Sequence, residues 1–323
     1  MKKLFIIIIV LSIIGYSCKK KDKTTVNNNP TYQWQPIGPN SIEAGALAVN
    51  GNNIFADIFN GDGVYFSSNN GSSWTPVNNG LTSFVNKLAI KRGDTVFAGT
   101  DSGMFVSSNN GGLWKAVDSG LTNLGINALA INGNNIFVGT QGGGIFFSSN
   151  NGSNWTAMNT GLTGMALVVE SLAINGNIII IGTGTGAYLS SNNGNSWTLL
   201  NGSPAPNEII ELAVSGNNIF AGTYNMGMYL SSNNGGSWTA INNGFPSNTR
   251  VLSLANYGNN IFVGTVNHGV LLSTNNGGNW TAINNGFQGI PNVYSLVING
   301  NYIYAGTNAS CGVWRLPLSA LGL

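Results

Sequence analysis

Seven tryptophans stand at positions 34, 74, 114, 155, 197, 238 and 280, separated by 40, 40, 41, 42, 41 and 42 residues. A fixed period of this length is the mark of a repeat architecture, and it constrains the fold before any local propensity does. Between the tryptophans the same order of segments returns. Trp114 opens WKAVDSGL, followed by INALAI, the turn NGN, NIFVGT, GGIFFSS and NNGSNW. The apolar segments are short, rich in Ile, Val, Phe and Leu, and bounded by Gly or Asn, which is the pattern of strands punctuated by turns. Asn-Gly pairs beginning at Asn50, Asn132, Asn175 and Asn299 suit tight hairpins in which both residues take positive φ. From residue 31 onward no helical period of useful length is present.

Four short strands per unit make a small sheet that cannot bury its own faces. Stacking such sheets around an axis buries both faces of each, which is the β-propeller solution. The ends of the chain supply the closure. Trp34-Gln35-Pro36-Ile37 matches the strand that opens Trp74-Thr75-Pro76-Val77, with no earlier strands before it. After Trp280 and its own strand, the segments VYSLVI, NYIYAGT and GVWRLP supply three more. The expectation is an all-β, seven-bladed β-propeller of four-stranded antiparallel blades over residues 31–323, its last blade completed by the N-terminal strand. That closure leaves no open sheet edge.

The tryptophans belong to a recurring octapeptide. Ser67, Asn69, Gly71 and Trp74 return as Ser107, Asn109, Gly111 and Trp114, then as Ser148, Asn150, Gly152 and Trp155. They return again as Ser190, Asn192, Gly194 and Trp197, as Ser231, Asn233, Gly235 and Trp238, and as Ser273, Asn275, Gly277 and Trp280. This Ser-x-Asn-x-Gly-x-x-Trp pattern resembles the Asp-box, or BNR, repeat of the sialidase superfamily, with Asn where the family has Asp. Each part has a local task. The Asn closes a turn, the Gly permits a backbone conformation closed to other residues, and the Trp plugs the hairpin and buries a large apolar area. Asn is a poor ligand for a hard cation. The six copies therefore read as scaffold, and no metal or cofactor is expected. The resemblance implies that they lie between the third and fourth strands, opposite the ligand-binding face.

The chain begins MKKLFIIIIVLSIIGYSCKKKDK. Lys2 and Lys3 precede an apolar run, Leu4–Ile14, too short to span a bilayer but suited to a signal peptide. Gly15-Tyr16-Ser17-Cys18 resembles a bacterial lipoprotein cleavage box. It implies a signal peptide at 1–17, a lipidated Cys18 and a polar tether to residue 30, with Lys19 favouring the outer membrane. Cys311 is then left without an intramolecular partner and is expected to be a half-buried small hydrophobe. The chain is expected to be a monomer in the cell envelope, reaching the membrane through its lipid alone.

From residue 31 onward six basic residues face nine acidic ones, a net charge of −3. No basic cluster exists to neutralise phosphates, so nucleic acid is excluded as a partner. A sialidase needs three arginines on one face. Here Arg92 falls in a turn on the other face, Arg315 in a strand, and only Arg250 in a suitable connection. A glycosidase of another kind needs two carboxylates about 5–10 Å apart. The carboxylates placed on the binding face are Glu43, Asp57, Asp62, Asp101, Glu170, Glu208 and Glu211, and Glu170 and Glu211 occupy similar places in consecutive blades. Solvated rim charges are the plainer reading. Tyr224, Met226, Arg250, His268 and Tyr294 depart most from the repeat and are the candidate ligand-binding residues. Photosystem assembly factors and sortilin-type receptors share the Asp-box architecture and bind polypeptides. The resemblance thus implies a non-catalytic module that binds a protein or glycan, with a glycoside hydrolase using Glu170 and Glu211 as the alternative.

Overall fold

The computed structural model describes residues 32–39, 43–59, 63–91, 93–204, 209–309 and 311–323. Strands are numbered in chain order. Blade 1 consists of β2 (Ala44–Asn50), β3 (Asn53–Ile58), β4 (Gly63–Ser67) and β5 (Thr75–Pro76), paired antiparallel in that order. Five further blades repeat the order, and their inner strands are β6 (Val85–Ile90), β10 (Ile126–Asn132), β14 (Val169–Asn175), β18 (Ile209–Ser215) and β22 (Val251–Tyr257). Blade 7 is built from both ends of the chain. β26 (Val293–Asn299), β27 (Tyr302–Thr307) and β28 (Val313–Pro317) are joined on the outside by β1 (Gln35–Pro36). Each inner strand touches the next, and β26 touches β2, so the seven close a ring. The chain is the seven-bladed propeller that the tryptophan spacing predicts.

Apolar cores lie between blades rather than within them. Ala48, Phe55 and Val64 of blade 1 pack with Val85, Val96, Ala98, Phe105 and Trp114 of blade 2. The same sharing recurs at the next seam, where Phe97 and Met104 meet Ile126, Ile136 and Trp155. A blade alone would leave these faces wet, so folding is a property of the ring. Among the described residues no helix is long and apolar enough to cross a membrane.

Two sequence expectations are corrected here. In the blade 1 hairpin Asn50 pairs with Asn53, so the central turn residues are Gly51 and Asn52. Only Gly51 has positive φ, at +58°, and Gly133, Gly176 and Gly300 repeat this. The turn therefore demands glycine at its first central position alone, and the preceding Asn ends the strand. The freed Asn amides bind across to the next blade: Asn132 Nδ2 donates to Gly176 O, Asn175 to Gly216 O, and Asn299 to Gly51 O. The second correction concerns Cys311, which is fully buried and disulfide-bonded rather than a lone half-buried thiol. The expected signal peptide, Cys18 and polar tether lie outside the described residues.

Candidate functional site

The ring has two chemically different faces. On one, each octapeptide turn rests against the inner hairpin of its own blade, as where Asn70 N donates to Asn52 O at 3.0 Å. The internal bonding of the turn is complete. Ser67 Oγ donates to Asn69 Oδ1 (2.9 Å) and accepts from Gly71 N (2.9 Å), while Asn69 Oδ1 also accepts from Ser73 N (2.9 Å). An amide oxygen serves here as well as a carboxylate would. The second asparagine of each copy has its own task. Asn70, Asn110, Asn151, Asn193, Asn234 and Asn276 all adopt left-handed φ near +55°, which Asn tolerates better than most residues. The tryptophan is a staple between blades rather than a plug within one. Trp114 Nε1 donates to Val77 O (2.7 Å) and its backbone N to Asn79 O (2.8 Å), both in the preceding blade. The serine hydroxyl and the asparagine oxygen of these turns are taken up by internal bonds.

The other face carries the second-to-third strand loops and the connections to the next blade. Another repeated device holds it, and the tryptophan spacing alone does not reveal it. In five blades the first polar residue after the outer strand caps the start of its own third strand: Asn78 Oδ1 accepts from Val64 N, Asp118 from Met104 N, Asn159 from Ile145 N, Asn242 from Met228 N and Asn284 from Val270 N, at 2.6–2.8 Å. Burial raises the Asp118 carboxyl above its ordinary pKa, and the Met104 hydrogen bond opposes this.

At the mouth of the central channel the repetition stops. The first residue of the inner strand is a buried apolar one in every blade: Ala44, Val85, Ile126, Val169, Ile209, Val251 and Val293. The next position holds Gly45, Asn86, Asn127, Glu170, Ile210, Leu252 and Tyr294. Tyr294 stacks edge-on against Phe59, with ring centroids 4.9 Å apart. Both line a cavity of about 250 Å³ together with Gly45, Asn86, Lys87 and Ser295. Lys87 Nζ of blade 2 lies 3.9 Å from Glu211 Oε2 of blade 5, so this pair spans the channel. Glu211 is 22% exposed. Burial pushes its carboxyl up in pKa, and the Lys87 charge pulls it down.

The candidate residues separate into groups. Glu211 is a channel residue with a cationic partner, which corrects its reading as a solvated rim charge. Glu170 accepts from Asn127 Nδ2 at 3.2 Å, whereas Glu211 faces Lys87. Tyr224 and Arg250 do meet, the guanidinium lying 4.6 Å above the phenol ring. Met226 follows in the same loop and lines a shallow depression with Asn225, Phe245 and Pro246. His268 sits half-buried in the neighbouring blade, its carbonyl accepting from Asn284 Nδ2. Asp101 accepts from Asn86 at 2.7 Å, and Arg315 lies over the Tyr302 ring on the blade 7 sheet. Arg92, Asp62 and Glu208 lie outside the described residues. Among the described residues no cluster of His, Cys, Asp and Glu could hold a metal ion.

Asp57 is the carboxylate whose position the sequence reading misjudged. It is 5% exposed rather than solvated, and burial pushes its pKa up to about 7. The signal was in the repeat: the second strand ends Gly-Thr at Gly99, Gly139, Gly182, Gly222, Gly264 and Gly306, but Asp-Ile at Asp57.

No protein-family model matches the chain, and no curated protein matches it in sequence. Solved structures match its fold. One is YCF48 bound to D1 peptide, 13% identical with a TM-score of 0.70, covering 90% of this chain and 98% of that one. The extracellular domain of the one-component system BT4673 from B. thetaiotaomicron is 15% identical with a TM-score of 0.72, and the match covers 88% of this chain and 39% of that one. The GH74 xyloglucanase from Xanthomonas campestris is 15% identical with a TM-score of 0.70, and the match covers 88% and 53%. At these identities the likeness is one of fold.

Proposed function

We propose that this chain is an exported, lipid-anchored binding module of the Asp-box class that takes a protein or glycan ligand at the channel mouth, opposite the octapeptide turns. One observation carries the reading. Around the ring, the second inner-strand position changes chemistry from blade to blade while its buried neighbour stays apolar. A scaffold needs the repeated position; the varied ring of Asn, Glu, Tyr and aliphatic side chains offers directional polar contacts beside apolar ones, as a ligand site does. The peptide complex of YCF48 supports the use of such a propeller for binding. Export rests on the basic and apolar leader, and anchoring on Cys18. One sulfur cannot carry both a thioether lipid and a disulfide, so the mass of the membrane-extracted chain belongs to the test. An acylated Cys18 supports the anchor, and a peptide joining Cys18 to Cys311 overturns it.

A specific observation also favours hydrolysis as a second reading: burial raises the pKa of Glu211, as a general acid requires. Its Lys87 partner works against that role. Purified protein screened on glycan and peptide arrays, with released reducing ends assayed on polysaccharides, separates the two. Binding without turnover is expected, weakened at least about tenfold by Tyr294→Ala, the scale of one lost buried aromatic contact. Turnover that disappears in Glu211→Gln or Glu170→Gln would establish the hydrolase instead.

A further inference from the structure

Six blades place glycine at the next-to-last position of the second strand because there is no room for more. A Cβ at Gly99 would stand 2.6 Å from Ile126 Cγ2, at Gly139 2.5 Å from Val169 Cγ1, and at Gly222 2.4 Å from Val251 Cγ1. Blade 1 places Asp57 there, and a second departure accommodates it. Gly45 leaves open the space next to the carboxylate, where its own Cβ would lie 3.2 Å from Asp57 Oδ2. Glycine and threonine would have served the fold, so the Asp57–Gly45 combination needs another reason.

The carboxyl group is buried and has no hydrogen-bond donor among the described residues. β3 packs against β6, which carries Lys87, and on its other face against β27 and β28, where Arg315 lies over the Tyr302 ring. Lys87 is engaged with Glu211 and has no part in the Asp57 shift, whose cause is desolvation alone. A buried carboxylate without a counter-charge is costly, and native proteins pair such groups. Asp57 lines a groove of about 430 Å³ at the seam of blades 1 and 2, walled by Gly63, Leu81, Thr82, Ser83 and Phe84. Phe84 is 63% exposed at its rim. A carboxylate at the floor and an aromatic ring at the edge attract an organic cation, through a charge-assisted hydrogen bond and the ring quadrupole respectively.

We propose that this groove is a second binding site, in which Asp57 receives an ammonium or guanidinium group such as a lysine or arginine side chain. It goes beyond the channel-mouth reading and does not depend on it, since Asp57 stands outside the cavity that Tyr294 lines. The probe is n-butylammonium chloride, which stays charged throughout, titrated against the full chain by NMR at the Asp57 carboxyl carbon and, in both the natural chain and the variant, at the backbone amides of Leu81–Phe84. Because only the ionised carboxylate takes the cation, affinity should rise about 30-fold between about pH 5.5 and about pH 8.5. Asp57→Gly restores the residue of the other six blades, so it should fold at least as well and lose the binding. Equal binding in Asp57→Gly, no saturable binding at pH 8.5, or a neutral oligosaccharide held at this carboxyl with no loss on acidification would each overturn the proposal.

Discussion

At position 57 the needs of folding and of binding pull apart. The native state keeps a proton on Asp57 up to a pKa of about 7, whereas the unfolded chain releases it near 3.8. Between those values the native state binds more protons, so stability falls as pH rises, by up to about 4 kcal/mol across the window. Below it the stabilisation is fully present, and above it the loss is complete. Raised carboxyls at Asp118 and Glu211 act in the same direction. Urea unfolding from about pH 4 to about pH 7.5 should therefore show the midpoint dropping in the natural chain and dropping clearly less in Asp57→Gly. Equal slopes would mean that Asp57 is ionised in the native state. The identity of this residue was legible as a break in Gly-Thr. Its burial was not, because the residues around it, among them Gly45 and the 81–84 connection, are distant from it in sequence.

At the scale of the element, the octapeptide and its tryptophan form one unit whose partner is the preceding blade. Trp34, Trp74, Trp114, Trp155, Trp197 and Trp280 each donate Nε1 to a carbonyl 37–39 residues upstream, or across the closure for Trp34. Trp238 is the exception: its Nε1 is buried without a partner. The glycine that packs on the next tryptophan carbonyl explains the difference. Gly80, Gly120, Gly161, Gly244 and Gly286 take positive φ and come so close that a Cβ would lie 2.2–2.7 Å from that oxygen. The connection after Trp197 reads LLNGSP, and Gly202 there touches nothing within 4 Å. A staple hydrogen bond is worth about 1 kcal/mol. Trp280→Phe should accordingly lose about 1 kcal/mol more than Trp238→Phe in equilibrium unfolding, where the substitution removes no bond. Matching losses would show that the indole acts by packing alone. The octapeptide was plain in the sequence, but its acceptor was not, since nothing local marks a carbonyl one blade away.

For the whole molecule the decisive element is β1, a strand of two residues. Gln35 pairs with Arg315 and Pro36 with Trp314. Trp34 ties blade 7 to blade 6 through Ile283 O (2.6 Å) and Asn285 O (2.9 Å). A chain beginning at Ala44 would expose β28 as a free edge and leave Phe287 without its stacked Trp34 ring. It should melt well below the full chain and self-associate on size-exclusion chromatography. A monomer of unchanged Tm would show that the ring closes without β1. The 40–42-residue tryptophan period, the alternation of strand and turn, and the unequal chain ends determined blade number, strand order and closure from sequence alone, because each depends on short-range pattern repeated often enough to be unmistakable. Only the tertiary structure decided that Lys87 meets Glu211, that Glu170 accepts from Asn127, and that Asp57 is buried. Those facts depend on which side chains a closed ring brings together across its axis and seams, and no spacing along the chain encodes that distance.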